Sequence, residues 1–283
     1  MIKSKVKTVL RLFNEKRVTT VAGAWVYYFL TSVIPLAFLV ITAFGVFGVS
    51  VSKEIVARLP EEFRAAGETI ASTAENASKG VTALFVFTII FSCTTLLNQM
   101  SKDGDFIYGV KSKIKRGVMR RIWALVALAA LFTVFLGAAV LFAFGNMIFA
   151  QARRISAYRL LFTVLAFTLI IAFGYLIIML LNRFISPVRL KFAQVSIGAL
   201  VSVFIIVLGT IFFILYLRFF ANYNAFYGSL AAIIVFLLWT YISMLGLVVG
   251  VIINERIYSI MRSDSAILVT VRRSANKKRL KKA

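Results

Sequence analysis

Six long apolar segments constrain the fold of this chain more than any other feature of its sequence. They cover residues 22–49, 81–100, 122–150, 160–182, 192–217 and 228–253. A hydrocarbon core about 30 Å thick requires about 20 apolar residues of helix, so each segment is long enough to cross a membrane. Barrel strands alternate apolar and polar residues over about ten positions, whereas these segments are apolar on every side. The sequence therefore predicts an all-α polytopic membrane protein with six transmembrane helices.

Composition agrees with a lipid environment. Of the 283 residues, 61% are hydrophobic and 15% are charged, against about 25% charged residues in soluble domains. The single cysteine, Cys93, lies inside an apolar segment, and we interpret it as a small apolar side chain. Histidine is absent, which removes the commonest general base and the commonest nitrogen ligand of metals.

The distribution of basic residues predicts how the chain is oriented. The N-terminal segment, the loop between the second and third spans, the loop between the fourth and fifth spans, and the tail hold 25 of the 33 lysines and arginines. Basic loops remain in the cytoplasm. Both termini are therefore predicted to be cytoplasmic, which requires an even number of spans and agrees with six.

The segments outside the spans divide the chain into three parts. Residues 1–17 place apolar residues at helical spacing opposite lysines and arginines, which predicts an amphipathic helix lying on the membrane surface. Residues 18–254 form the predicted membrane domain, and residues 255–283 form a basic cytoplasmic tail. The outside loop at 50–80 repeats the amphipathic pattern, with a break near Pro60. It predicts interfacial helices that either shield the ends of the spans or cover a pathway.

The predicted spans carry uncharged polar residues but no charged residue near their centres. Buried charges mark proton relays and ion-pair gates, so we expect no proton coupling. Pro35 removes a backbone hydrogen bond from the first span, which predicts either a simple bend or a broken helix at membrane depth. The polar residues either line a pathway or serve as interfacial anchors and hydrogen-bond partners between helices. The candidate pathway and substrate residues are Tyr28, Ser32, Pro35, Asn98, Gln99, Asn222, Asn224, Tyr227 and Ser229.

Small and basic residues predict two kinds of contact. Gly246 and Gly250 form a G-x-x-x-G pattern, and Gly228 has Ala232 at the same spacing. Small residues at this spacing let helices pack closely, either within the chain or in a homo-oligomer. Basic residues beside the spans are expected to contact anionic phospholipids, at about 1 kcal/mol each. The candidates for lipid contact are Lys113, Arg116, Arg120, Arg121, Arg189 and Lys191.

Three segments carry a resemblance to a known family. They read AWVYYFLTSVIPLAFLVITAFG, ISPVRLKFAQVSIGALVS and YGSLAAIIVFLLWTYISMLGLVVGVIINE. They resemble the first span, the start of the fifth span and the last span of the YihY/BrkB family. The resemblance implies a multi-pass protein of the bacterial inner membrane, transporter-like or virulence-associated. Ile197 stands where the family often has proline, and Ile252 stands where it often has glutamate. If that glutamate carries protons in relatives, this chain must do without it.

The same family was formerly labelled ribonuclease BN, so RNA cleavage is an alternative function. Asp103 and Asp105 flank Gly104 on a predicted cytoplasmic loop. Two nearby carboxylates are able to hold a magnesium ion, but they also commonly end a helix in a turn, and we favour the turn. We therefore expect no enzyme activity, no cofactor or metal, and no specific nucleic-acid partner.

Two functions of different classes remain open from the sequence. The favoured one is a permease-like or flippase-like protein that moves a polar or anionic small molecule or amphiphile without proton coupling. The other is an envelope scaffold or assembly factor that has no transport pathway. A continuous water-accessible cavity would favour the first function, whereas a sealed bundle joined into an oligomer would favour the second.

Overall fold

The computed structural model describes residues 13–46, 64, 67–69, 72, 79–112, 117–152, 156–220 and 229–280. Within these residues the chain forms six long helices and no strand, which confirms the all-α fold class. The helices are α1 (Val18–Val46), α2 (Lys79–Tyr108), α3 (Gly117–Ala152), α4 (Ser156–Ile185), α5 (Phe192–Phe220) and α6 (Ser229–Leu280). The six predicted apolar segments coincide with these helices in turn, wherever their residues are described.

Four of the six helices contain a stretch that is long and apolar enough to cross a membrane, judged over the described residues alone. These stretches are Gly117–Phe135 in α3, Val164–Ile185 in α4, Phe192–Tyr216 in α5 and Ile233–Ser263 in α6. Helices α1 and α2 stand where the first two spans are predicted. The six-span count and the cytoplasmic location of the termini stay predictions. So do the interfacial helices, because residues 1–12 and most of residues 50–80 lie outside the described part of the chain.

The helices form a ring in which each helix contacts the next, and α6 contacts α1. The start of α1 meets the end of α2, and the end of α2 meets the start of α3. Successive helices therefore alternate in direction, and α2, α4 and α6 run parallel to one another. These three helices also contact each other. They form the centre of the bundle, with α1, α3 and α5 between them on the outside.

Buried apolar side chains concentrate at one end of this ring. They lie at the starts of α1, α3 and α5, at the ends of α2 and α4, and in the adjoining part of α6. This is the end at which the loops predicted to be cytoplasmic attach. The largest fully buried apolar side chains are Trp25, Ile107, Ile185, Val195, Val18, Val248 and Val251. Tight side-chain packing holds helices together in lipid, so this end of the bundle is closed in the structure.

Helices α5 and α6 pack with their backbones in contact. A Cβ atom on Gly250 would overlap the Ser202 hydroxyl and the Gly198 carbonyl, and a Cβ on Gly198 would overlap the Gly250 carbonyl. A Cβ on Gly246 would lie 2.9 Å from a methyl carbon of Ile205. The structure thus places the G-x-x-x-G pattern against a helix of the same chain. Gly228 lies outside the described residues.

Helix α6 continues far beyond the predicted sixth span. The apolar segment ends at residue 253, but the helix runs for 52 residues to Leu280. The basic tail is therefore helical over most of its length. Lysine, arginine, alanine and leucine are all good helix formers, so a change from apolar to basic residues ends the span without ending the helix.

Candidate functional site

Asp103 lies near the end of α2, where its carboxylate accepts two hydrogen bonds. The indole Nε1 of Trp25 in α1 donates to Oδ2 at 2.7 Å, and Nε2 of Gln99 donates to Oδ1 at 3.0 Å. Burial raises the pKa of Asp103, while the hydrogen bonds from Trp25 and Gln99 and the charge of Lys102 lower it. Gln99 was predicted as a pathway residue. In the structure its side chain donates to Asp103, which lies one helical turn away on the same face.

Asp105 connects α2 to α3. Its Oδ2 accepts a hydrogen bond of 2.6 Å from Nη2 of Arg120, and its Oδ1 accepts one of 3.2 Å from the Ser112 backbone N–H. Both side chains of the ion pair are largely buried. The prediction that Asp103 and Asp105 form a turn is wrong, because α2 continues past both of them to Tyr108. The helix ends at Gly109 instead, where φ is 62°, a conformation that glycine adopts readily.

The two aspartates are not placed to share one metal ion. Two residues apart on a helix, they point to nearly opposite sides of it, and each carboxylate has its own donors. Across the described residues, no group of three or more metal-ligating side chains is close enough to hold an ion.

The three central helices carry four buried polar side chains near the closed end. We call this set the inner polar cluster, and it consists of Ser101, Tyr108, Asn182 and Asn254. All four side chains are buried. Among the described residues, the Ser101 hydroxyl and both amide atoms of Asn182 have no hydrogen-bond partner, and neither does Nδ2 of Asn254.

Contacts between helices place these residues at neighbouring levels of the bundle. A Cβ on Gly104 of α2 would overlap the Ile185 carbonyl of α4. Ser101 and Asn182 each lie one turn before that contact, so they lie at the same level of two parallel helices. Tyr108 faces Ser186, the first residue after α4, and its ring lies 6.2 Å from that of Tyr258, one turn beyond Asn254 in α6. The members of the cluster thus belong to α2, α4 and α6.

Two members of the cluster have further properties that bear on its chemistry. Oδ1 of Asn254 accepts a hydrogen bond of 3.0 Å from the Gly198 backbone N–H, so the oxygen of this amide joins α6 to α5. Burial raises the pKa of Tyr108 to about 12, and its hydroxyl stays neutral at physiological pH. The cluster thus offers neutral donors and acceptors, which suit water or a polar headgroup better than a bare ion.

Of the remaining candidate pathway residues, Ser32, Tyr28 and Asn98 have described side chains, and none of these three belongs to the inner polar cluster. Ser32 is buried on α1, donates to the carbonyl of Phe29 at 2.8 Å and also contacts Cys93 of α2. Tyr28 is half-buried and packs edge-on against Tyr27 at 5.3 Å. Asn98 is half-buried on α2. Pro35 lies within the unbroken helix α1 and Ser229 begins α6, but their side chains are outside the description. Asn222, Asn224 and Tyr227 are also outside it.

A cavity of 410 Å³ opens between α3 and the end of α4. We call it the lateral groove. Its wall is apolar, and serines and arginines lie at the end nearest the predicted cytoplasmic loops. Arg189 lines this groove. Among the other predicted lipid-contact residues, Arg121 and Lys191 are exposed, Arg120 is held by Asp105, and Lys113 and Arg116 are outside the described residues.

Sequence reasoning did not single out Trp25, Asn254, Ser101 or Arg183. Trp25 lies in an apolar segment, and nothing in its local sequence indicated a carboxylate partner 78 residues away. Asn182 was noted as a polar residue, but nothing in the local sequence showed that it faces the interior. A helical projection of α2 and α4 would have placed Ser101 with Gly104 and Asn182 with Ile185, which is the signal that was missed.

Comparison with known proteins gives a consistent family assignment. The family model described as Virulence factor BrkB matches residues 9–266. A UPF0761 membrane protein of Mannheimia succiniciproducens is 23% identical over 251 residues, which cover 84% of each chain. One from Haemophilus influenzae is 24% identical over 247 residues, covering 84% of this chain and 89% of its own. One from Coxiella burnetii is 32% identical over 76 residues, or 27% of each chain. No solved structure matches this chain.

Proposed function

We propose, from the premise that this chain belongs to the BrkB family of membrane proteins, that it is a flippase-like permease. It moves an anionic amphiphile across the bacterial inner membrane without coupling to protons. The observation that carries this proposal is the inner polar cluster, which is buried and largely unpartnered at the closed end of the bundle.

In a bundle that serves only as a scaffold, such a cluster would lower stability without any gain in function. Each buried polar group without a partner costs about 1–3 kcal/mol, and apolar side chains of similar size would avoid that cost. Asn182 alone contributes two unpartnered atoms, and Ser101 contributes a third. These groups gain hydrogen bonds as soon as water or a headgroup reaches them. The cluster therefore weakens the closed state relative to a state in which this end is hydrated.

The arrangement of the helices supports a gate at this position. Ser101 belongs to α2, Asn182 to α4 and Asn254 to α6, and these three parallel helices meet at the centre of the bundle. A small separation of α2 from α4 would open the Gly104–Ile185 contact and expose Ser101 and Asn182 together. Transporters commonly alternate between two such packings of the same helices.

The charges at the closed end favour an amphiphile over an ion. Both carboxylates of α2 are already bound, Asp103 by Trp25 and Gln99, and Asp105 by Arg120. Neither is placed to relay protons through the described interior. The net charge of +23 attracts anions to the protein, and a substrate with a lipid tail is able to enter from the side of the bundle.

An envelope scaffold is the alternative function, and the sealed apolar core is the observation that favours it. Accessibility of single cysteines distinguishes the two. In a Cys93→Ala background, we expect Ser101→Cys and Asn182→Cys to react with a membrane-impermeant thiol reagent added from the cytoplasmic side. Val248→Cys is the matched control, because Val248 is also fully buried but apolar. If the cluster cysteines react no faster than Val248→Cys, the gate does not open and the scaffold is the better function.

A further inference from the structure

We propose that the lateral groove is a binding site for an anionic phospholipid of the cytoplasmic leaflet, with Arg183 and Arg189 holding its phosphate. This inference rests on the proposed function and deepens it, because it names the class of substrate and the place where it enters.

The wall of the groove has the character of an acyl-chain site. Trp123, Val126, Ala130 and Leu131 lie on one face of α3, and Leu180 and other apolar side chains of α4 face them. Alanine at 130 and also at 127 keeps the wall recessed between larger neighbours. The volume of 410 Å³ falls within the range of about 300–1,000 Å³ that is typical of small-molecule sites.

The polar end of the groove has the character of a phosphate site. Nη1 of Arg183 donates to the Leu190 carbonyl at 2.9 Å, and its guanidinium carbon lies 4.2 Å from the centre of the Phe192 ring. These contacts fix the position of the guanidinium while using one of its three nitrogens. A fixed guanidinium fork binds a phosphate through two parallel hydrogen bonds, and less conformational entropy is lost when the fork is already in place.

The loop after α4 supplies the second cation. The hydroxyl of Ser186 donates to the Val188 carbonyl at 3.0 Å and accepts from the Val188 N–H at 3.3 Å. This compact turn places Arg189 at the rim of the groove, beyond Pro187. None of the described residues that line the groove is acidic, so they do not offset the positive charge of the two arginines.

The groove also has the polarity of a phospholipid along the membrane normal. The apolar stretches of α3 and α4 that flank it are Gly117–Phe135 and Val164–Ile185. Arg183 lies at the end of the second stretch, and Arg189 lies beyond it. The arginines are therefore at headgroup level while the wall lies in the hydrocarbon region. A second copy of the chain or an apolar peptide would leave the two arginines without an anion, so charge complementarity selects a lipid with net negative charge.

Trp123 lines the groove and provides a direct test. In the full-length protein carrying Trp239→Phe, fluorescence is followed in bilayers that contain brominated lipid. Trp25 is fully buried and gives an unquenched baseline. We expect brominated phosphatidylglycerol to quench Trp123 at a lower mole fraction than brominated phosphatidylcholine does. Arg189→Ala should raise the mole fraction for half-quenching by about fivefold, and Arg183→Ala with Arg189→Ala by more, since one cation near an anionic surface is worth about 1 kcal/mol.

Arg262→Ala is the matched control, because Arg262 is an exposed cation on α6 away from the groove, and it should leave the quenching unchanged. Arg189 is exposed, so its single variant tests the site even if loss of Arg183 impairs folding. Equal quenching by the two lipids, or an anionic preference that survives Arg189→Ala undiminished, overturns the inference. Equal quenching of the wild-type protein by the two lipids, with continued labelling of Ser101→Cys, would reject the groove as the site and leave the proposed function standing.

Discussion

A hydrogen bond of 2.7 Å between Trp25 and Asp103 shows how individual residues hold the closed end. The carboxylate accepts from an indole and from the Gln99 amide, and both donors are neutral. Hydrogen bonds to ionised groups are stronger than those between neutral groups. When Asp103 is ionised, the pair therefore fixes α1 to α2 more firmly than a contact between two neutral side chains would. Its partners could not be predicted from local sequence, because the apolar pattern around Trp25 accounts fully for a tryptophan at that position.

Trp25→Phe is expected to destabilise the protein more than Trp239→Phe does. Trp239 is the matched control, since its indole donates to the neutral Thr210 hydroxyl at 3.1 Å. Loss of a hydrogen bond to a charged group costs about 1.5–3 kcal/mol, against about 0.5–1.5 kcal/mol for a neutral pair. Thermal unfolding of the detergent-solubilised variants measures the difference. Equal losses would mean that Asp103 finds another donor when Trp25 is gone.

The loss caused by Trp25→Phe should depend on pH in a defined direction. The Trp25 hydrogen bond lowers the pKa of Asp103, so its removal raises that pKa further. A carboxyl group whose pKa is raised by folding makes the folded state less stable as the pH rises through that pKa. As the pH is lowered, Asp103 becomes protonated at a higher pH in the variant than in the wild type. The difference in melting temperature should therefore shrink as the pH falls through the raised pKa of Asp103. A difference that stays constant contradicts this assignment.

At the scale of helices, length and apolar character were enough to locate all six elements, but not to place their ends or partners. Asp103 and Asp105 resemble a turn, yet α2 passes through both and ends at the left-handed Gly109. The close approach in α6 was visible as Gly246 and Gly250. The partner of these glycines on α5 was not visible, because the role of Gly198 follows only from its contacts with Asn254 and Gly250.

Gly250→Ala should destabilise the pairing of α5 with α6. The added methyl group would overlap both the Ser202 hydroxyl and the Gly198 backbone, and overpacking typically costs about 1–3 kcal/mol. Gly137→Ala is the matched control, because a Cβ at Gly137 meets no atom within 4 Å. Removing a helical glycine there should be neutral or stabilising. Thermal unfolding compares the two, and a Gly250→Ala protein as stable as Gly137→Ala would show that the helices are able to move apart at little cost.

At the scale of the whole molecule, a ring of six helices brings three parallel helices together at its centre. The apolar segments predict that such helices exist, but they carry no information on which helices meet in the middle. The inner polar cluster depends on that arrangement, and this is why Ser101, Asn182 and Asn254 could not be grouped from the sequence. Their combination of burial with missing partners is the property that a purely structural bundle would avoid.

Asn182→Leu is expected to raise the stability of the protein. The variant removes two unpartnered polar atoms at nearly constant volume, which recovers about 1–3 kcal/mol. Asn254→Leu is the matched control and should be destabilising, since it removes the acceptor of the Gly198 N–H. Opposite shifts in melting temperature are the predicted result. A loss of stability in both variants would show that Asn182 has a partner in the membrane-embedded protein.

Movement of a fluorescent phosphatidylglycerol between the leaflets of proteoliposomes is the experiment that decides whether the inner polar cluster serves transport. The wild-type protein should accelerate exchange of this lipid over protein-free liposomes, and Asn182→Leu should slow the exchange although it is the more stable protein. The reason is that Asn182→Leu stabilises the closed state relative to the open state. Exchange at the protein-free rate, or equal exchange by wild type and Asn182→Leu, would contradict the proposal and leave a sealed scaffold as the function that fits this bundle.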